Sequence, residues 1–264
     1  MIKEDIKFQN SAVFEGMTSI RAILRGNESG INDRRIEKIL FDKGKFQKNA
    51  KNVGYLKAVS QNFGYEVVES DEEEINKITL GSSHGGIIAI AKERTIPYLN
   101  SDSNIENLGF YCMIQGIEDP YNFGYSLRSL YACGCDGIIL PERNWMTAAG
   151  VVARSSAGAS ELFPIFKSNP DNAVDIFHSH GFNVVCADER TDNVLGSCEL
   201  NLPILLIVGG EKRGISKSLL EKTDTLVKIN YAREFSASLS AASATTMFAY
   251  EIMRQNQQKY KKLP

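Results

Sequence analysis

From residue 109 onward the sequence repeats one pattern: a short apolar run, a loop rich in small and polar residues, then a stretch with helical periodicity. The runs at 109–114, 137–140, 163–166, 182–186, 202–208 and 226–229 are too short for helices and apolar on both faces, which predicts strands. Between them, 124–132, 147–155, 173–180, 217–222 and a closing segment at 239–254 predict helices. Apolar strands alternating with helices indicate a buried parallel sheet covered on both faces. In such α/β folds ligands sit at the carboxyl ends of the strands, so the loops that follow them are the place to look for chemistry.

Upstream lies a second, smaller α/β pattern. Helices are predicted at 17–24 and 50–62, and strands at 36–41, 66–68 and 86–91. Residues 95–107 lack an apolar period and carry turn formers, which predicts a linker between domains at 1–94 and 108–264. The total of 264 residues suits two such domains.

Composition narrows the function classes. No run approaches 18 consecutive apolar residues, and the first residues lack the basic and apolar regions of a leader, so a soluble cytoplasmic protein without membrane contact is expected. The five cysteines (112, 133, 135, 186 and 198) form no C-x-x-C pair, and of the three histidines two are spaced i,i+2; no metal site is expected. A net charge of -2 gives no whole-chain attraction to nucleic acid, so such a role must rest on a local patch. Residues 34–57 hold eight basic residues against Glu37 and Asp42, while 66–74 hold six acids and no base. This basic stretch could bind phosphates; as residues alone, a solvated surface balanced by the acidic run explains it better.

Three loops follow strands of the larger domain. The first, from Gln115 to Arg128, joins a strand to a helix and brings Asn122 and Arg128 into its opening turns; Arg presents a planar fork of donors suited to a phosphate or a developing negative oxygen. A helix cap for Asn122 and a surface ion pair for Arg128 remain open. The second, Val208-Gly209-Gly210-Glu211 to Ser216, has the glycine spacing of a phosphate loop, but Ile215 stands where its lysine must be, and it does not match G-x-G-x-x-G. The third carries Ser236, Ser238 and Ser240 into an Ala/Ser-rich helix start, where Ser236 or Ser238 could cap the helix. Gly124-Tyr-Ser-Leu-Arg128 lacks the closing glycine of a nucleophile elbow, which disfavours a hydrolase.

Taken in order, Asp119-Pro-x-Asn122-x-Gly124-x-x-x-Arg128, Ile207-Val-Gly-Gly-Glu211-x-x-Gly214-Ile-Ser and Ser236-x-x-Leu239-Ser240-x-Ala242 resemble the three motifs of the SpoU, or TrmH-type, RNA 2′-O-ribose methyltransferases of the SPOUT class. Arg154-Ser-Ser-Ala-Gly-Ala159 resembles that family's connecting segment. The resemblance implies a parallel-sheet SPOUT domain with a C-terminal trefoil knot, preceded by a small α/β RNA-binding domain. It also implies a homodimer, S-adenosyl-L-methionine as cofactor, and RNA as substrate, with ribosomal RNA favoured over transfer RNA by the two-domain layout. It assigns Arg128, Asn122, Glu211 and Ser236 to catalysis and Val208, Gly209, Gly210, Ile229, Ser238 and Leu239 to the cofactor. Arg34, Arg35, Lys43, Lys45 and Lys48 of the basic stretch become the RNA-contact candidates. Two departures stand out: Ser238 occupies the position of the family's usual Asn, and Arg233 stands near its usual Gly. The other readings are a cofactor- and RNA-binding module without turnover, and a small-molecule transferase on a similar sheet.

Overall fold

The computed structural model describes residues 11–80, 84–117, 119–142, 144–210 and 214–260. The chain divides into two compact units, the first comprising 1–95 with 146–162 and the second 96–145 with 163–264. The sequence reading placed 146–162 in the second domain. The segment instead packs within the first unit, because its contacts there are buried and specific while its periodicity looks like any α/β helix.

The first unit is built from β1 (Ser11–Glu15), α1 (Gly16–Glu28), β2 (Ile36–Asp42), α2 (Phe46–Phe63), β3 (Glu66–Ser70), α3 (Glu72–Ile78) and β4 (Ile87–Lys92). The strands form one mixed sheet in the order β1-β4-β2-β3, parallel only between β2 and β3. Phe14, Ile20, Ile23, Ile39, Val53 and Leu56 make its core, joined by Ala149 and Ala153 of the returning segment. Small residues let that segment approach. A side chain at Gly158, whose φ is +86°, would meet the Ala22 Cβ at 2.5 Å. The acidic run finds a structural use here, since Glu72, Glu73 and Glu74 occupy the first turn of α3, where carboxylates favour the helix dipole.

The second unit contains β5 (Phe110–Ile114), α4 (Pro120–Ala132) and β6 (Gly137–Leu140). After β6 the chain supplies α5 (Ala149–Ser155) to the first unit and returns as β7 (Ile165–Lys167), α6 (Pro170–Ser179), β8 (Asn183–Ala187) and β9 (Ile204–Val208). It ends with α7 (Lys217–Glu221), β10 (Thr225–Val227), α8 (Ala241–Gln255) and α9 (Gln257–Tyr260). Six strands pair in the order β10-β8-β9-β5-β6-β7, all parallel as expected from their apolar character. Central β5 and β9 are buried at every residue. Tyr111, Phe177 and Phe182 pack as an aromatic cluster, with ring centroids 4.9–5.8 Å apart. Elsewhere α8 packs on α4 and β9, and the Thr246 hydroxyl donates to Ser129 at 2.7 Å.

No helix among the described residues is long and apolar enough to cross a membrane. No group of three or more His, Cys, Asp or Glu side chains among them could hold a metal ion.

Candidate functional site

The parallel sheet sends the carboxyl ends of β8, β9 and β10 to one edge, and the loops beyond them enclose a cavity of about 910 Å³. Val208, Gly209, Gly210, Ile229, Ser236, Ser238 and Leu239 all line it. The second and third loops and the chain after β10 therefore converge on one volume.

Close backbone approach shapes its floor. Gly210 lies against Gly116 in the loop after β5, so that a Cβ on Gly210 would fall 1.9 Å from the Gly116 carbonyl oxygen. Gly210 also bridges Gly214, whose N–H donates to its carbonyl at 3.1 Å. Glu211 belongs to the residues outside those described, so no geometry is assigned to it.

The third loop is held by a contact that sequence reasoning missed. The Tyr231 hydroxyl accepts from the Leu239 N–H at 3.1 Å, closing residues 231–239 into a loop with Tyr231 and Phe235 packed side by side. Ser240, rather than Ser236 or Ser238, caps α8 by accepting from Ser243 N–H at 3.2 Å. Both upstream serines are exposed and are left for the cavity. Phe248 of α8, Ile215 and Ala244 supply apolar wall. Asp188, at the end of β8, and Glu234 supply carboxylates. Asp188 is held below the usual carboxylate range chiefly by its hydrogen bonds to Arg190, which reaches it from Nε and from Nη2 at 2.8 Å each. No motif in the sequence announced Asp188, Tyr231 or Phe248.

Asn122 and Arg128 fall outside the cavity lining. Asp119 caps α4 by accepting from the Asn122 N–H at 2.8 Å, so Asn122 sits in the first turn and is not itself the cap. Arg128 is exposed one and a half turns later, with no hydrogen bond or ion pair to any described residue. A separation of six residues turns the helix by about 240°, so the two side chains leave different faces.

The basic stretch is corrected at one position. Arg34 is 1% exposed: its guanidinium bonds Glu161 and the Lys92 carbonyl and lies over the Phe14 ring, so it belongs to the core of the first unit and presents nothing to RNA. Its charge looked like surface because the partner, Glu161, is remote in sequence. Lys43 and Lys45 are engaged by Asp71 and Glu72, each at 2.5 Å, whereas Arg35 and Lys48 are exposed.

Comparison with known proteins agrees with this layout. Residues 109–250 match the model of the SpoU rRNA Methylase family, and this span includes all three loops. A Staphylococcus haemolyticus protein assigned to the TrmH family of tRNA/rRNA methyltransferases is 29% identical over 162 residues, 61% of this chain and 65% of that protein. A Staphylococcus aureus protein so assigned is 30% identical over 158 residues, 60% and 63% of the two chains. The match thus spans just under two thirds of these relatives. Among solved structures, an AdoMet-bound rRNA methyltransferase from Sinorhizobium meliloti superposes with a TM-score of 0.77 at 22% identity, covering 94% of this chain and 88% of that one. The SpoU methyltransferase AviRb from Streptomyces viridochromogenes, in complex with AdoMet, gives 0.75 at 19% identity, covering 94% and 91%. The fold is shared across both units, and since the family match covers more than half of the sequence, this chain belongs to the SpoU rRNA Methylase family.

Proposed function

We propose that this chain methylates a ribose 2′-hydroxyl of RNA, ribosomal RNA in preference to transfer RNA, with S-adenosyl-L-methionine as donor. The observation that carries the reading is the convergence of Val208, Gly209, Gly210, Ile229, Ser236, Ser238 and Leu239 on one cavity at the carboxyl edge of the sheet. The residues fit such a cofactor. The volume is of the size that takes a ligand of this class, the Ile215 and Phe248 side suits a flat base, and Glu234 and Asp188 suit the positive charge of a sulfonium and an ammonium. The Gly116–Gly210 approach lets backbone, rather than side chains, form the floor.

When bound, the cofactor supplies an electrophilic methyl group whose leaving atom becomes a neutral thioether. What the protein must add is alignment of the hydroxyl, for which roughly 7 to 11 kcal/mol is available in principle, and an exit for its proton. Arg128 presents a planar fork of donors, so it acts as a clamp on a substrate phosphate and a stabiliser of negative charge on the ribose oxygen. The 2′-hydroxyl proton then passes to a phosphate oxygen or to water. Glu211 and Asn122 belong to the same proposal as groups that position the ribose.

The assembly proposed is a homodimer. Tyr121 and Tyr125 of α4 and Met247 and Tyr250 of α8 are exposed on two helices that pack side by side, an apolar surface that a second copy would cover. The return of α8 from the edge strand β10 to the centre of the sheet supports the expected trefoil knot.

The test is incubation of the protein with radiolabelled S-adenosyl-L-methionine and, separately, total ribosomal and transfer RNA, followed by nuclease digestion and mass spectrometry. Label on a ribose 2′-oxygen of ribosomal RNA is expected. Cofactor binding with no label in either pool would favour the non-catalytic module.

A further inference from the structure

A second cavity, of about 510 Å³, opens at the same edge of the sheet. It lies where β6 ends at Leu140 and β7 ends at Lys167, and is lined by Tyr98, Pro141, Glu142, Ser168, Asn169 and Asn172 among others. In the strand order β9-β5-β6-β7 this is two to three strand spacings from the Gly209–Gly210 loop, roughly 10 to 14 Å. Both cavities belong to the second unit.

Its chemistry is specific. Tyr98 is held by backbone: it bridges Lys167, and the flanking Pro97 carbonyl and Leu99 N–H pair with the Lys167 N–H and carbonyl at 2.8 Å each. The residue is nonetheless 59% exposed, and its side chain interacts with the Glu142 carboxylate at the mouth. Pro141 and Pro170 add flat apolar surface, and neighbouring Leu99 is buried beneath. No lining side chain among the described residues is cationic, and Glu142 makes the mouth acidic. One amide at the start of α6 is already served, since the Asn169 side-chain Oδ1 accepts from the Asp171 N–H at 3.0 Å. A phosphate would therefore face the Glu142 carboxylate with no cation among the described lining side chains to balance its charge. A neutral ring would find an exposed aromatic side chain, proline surface in the same lining, and the exposed Glu142 carboxylate, whose ionised form offers about four acceptor sites.

We propose that this second cavity holds a nucleobase of the RNA strand, one or two nucleotides from the ribose at the first cavity, stacked on Tyr98 and read by Glu142. The proposal rests on the reading of the substrate as RNA. A carboxylate accepts from exocyclic amino groups, so cytosine and adenine are preferred over uracil. The site thus gives the sheet edge a means of choosing among RNA sequences, separate from whatever the first unit contributes.

The experiment measures binding of fluorescein-labelled hexamers rC6, rA6 and rU6 to the full chain by anisotropy, alongside methyl transfer to total ribosomal RNA. The wild type is expected to bind rC6 and rA6 more tightly than rU6. Tyr98→Ala should weaken all three about tenfold, the scale of one lost stacking partner, and Tyr98→Phe should restore the stacking share. Glu142→Gln should narrow the gap between rC6 and rU6 while leaving S-adenosyl-L-methionine binding unchanged. Wild-type affinity in Tyr98→Ala, or full discrimination in Glu142→Gln, would overturn the proposal. If the wild type transfers no methyl group yet Tyr98→Ala still loses hexamer affinity, the cavity assignment stands and the methyltransferase reading falls. Normal transfer with hexamer affinities unmoved by either variant gives the reverse.

Discussion

The Arg34 Nε and the Glu161 carboxylate lie 2.8 Å apart with 1% and 0% of their side chains exposed, although 127 residues separate them in the chain. Around them the Asn32 amide donates to the Glu161 carbonyl at 2.6 Å and Arg94 donates to the Ser160 carbonyl at 3.0 Å. A buried pair of this kind is costly to break from one side, because the remaining charge has no water to turn to. Glu161→Ala is expected to destabilise the first unit by about 3 to 5 kcal/mol, read from urea denaturation. The double variant Arg34→Met with Glu161→Leu should cost less than the single change, since no charge is stranded.

Gly210→Ala tests the floor of the first cavity. With the Gly116 carbonyl oxygen 1.9 Å from the position of the new Cβ, either the loop after β5 or the loop after β9 must shift. The expected result is at least about a tenfold loss of S-adenosyl-L-methionine affinity by calorimetry, equivalent to about 1.4 kcal/mol, with thermal unfolding little changed.

Arg128 separates a fork of donors from a point charge. Because its side chain is exposed and has no partner among the described residues, neither Arg128→Lys nor Arg128→Ala should affect folding. Arg128→Lys should lower kcat on RNA by about tenfold and Arg128→Ala by about a hundredfold or more, with cofactor affinity unchanged. Full turnover in Arg128→Lys would show that the planar guanidinium is not what the reaction needs.

His84 gives the first unit a dependence on pH. The ring is buried, its Nε2 pairs with the Asn76 side-chain Oδ1 at 2.9 Å, and its Nδ1 accepts from the Gly86 N–H at 3.1 Å, which assigns the proton to Nε2. Burial lowers its pKa first, and nearby Lys45 lowers it further, against the carboxylates of Glu15, Glu72 and Asp42. The unfolded ring takes up a proton near about pH 6.5 and the folded one only below that. The stability from neutral His84 is thus present above about pH 6.5 and lost as pH falls through the lower folded value. His84→Gln should lower the Tm at pH 7.5 by a few degrees and flatten its decline below about pH 6.5, measured by scanning calorimetry.

Thiol labelling reads burial in the second unit. Burial pushes the Cys186 thiol up to about 12 and the Cys112 and Cys135 thiols well above their ordinary range, while Cys198 is only half-buried and raised less. Iodoacetamide at pH 7.5 should modify Cys198 first and leave Cys112 and Cys135 untouched until the chain unfolds, as followed by peptide mass spectrometry.

Much of the architecture was legible in the linear pattern, for local reasons. Strands 137–140 and 204–208 and the long helix beginning at 241 follow from apolar runs and periodicity that the chain carries within a few residues. β1 and α3 escaped notice. Ser11–Glu15 is a five-residue strand with no room to alternate, and Glu72–Ile78 is a seven-residue helix whose charged first turn reads as loop. The cavity residues from 208 to 239 were pointed to by the resemblance of the second and third loops to the family's motifs, because glycines and serines at strand ends by themselves fit a plain turn or a helix cap equally well.

By itself, the sequence determined the alternation of strand and helix, the three loops and the family they belong to, because each of these rests on neighbours along the chain. Tertiary structure alone decided what each charge and each small residue does. It turned Arg34 from a surface candidate into a core residue paired with Glu161, assigned residues 146–162 to the first unit, and set Gly210 against Gly116. It also drew Tyr98 and Glu142 together at one mouth. The physical reason is that burial and pairing depend on distance in space, and a chain that folds into a sheet brings its strand ends together in an order that its local pattern does not contain.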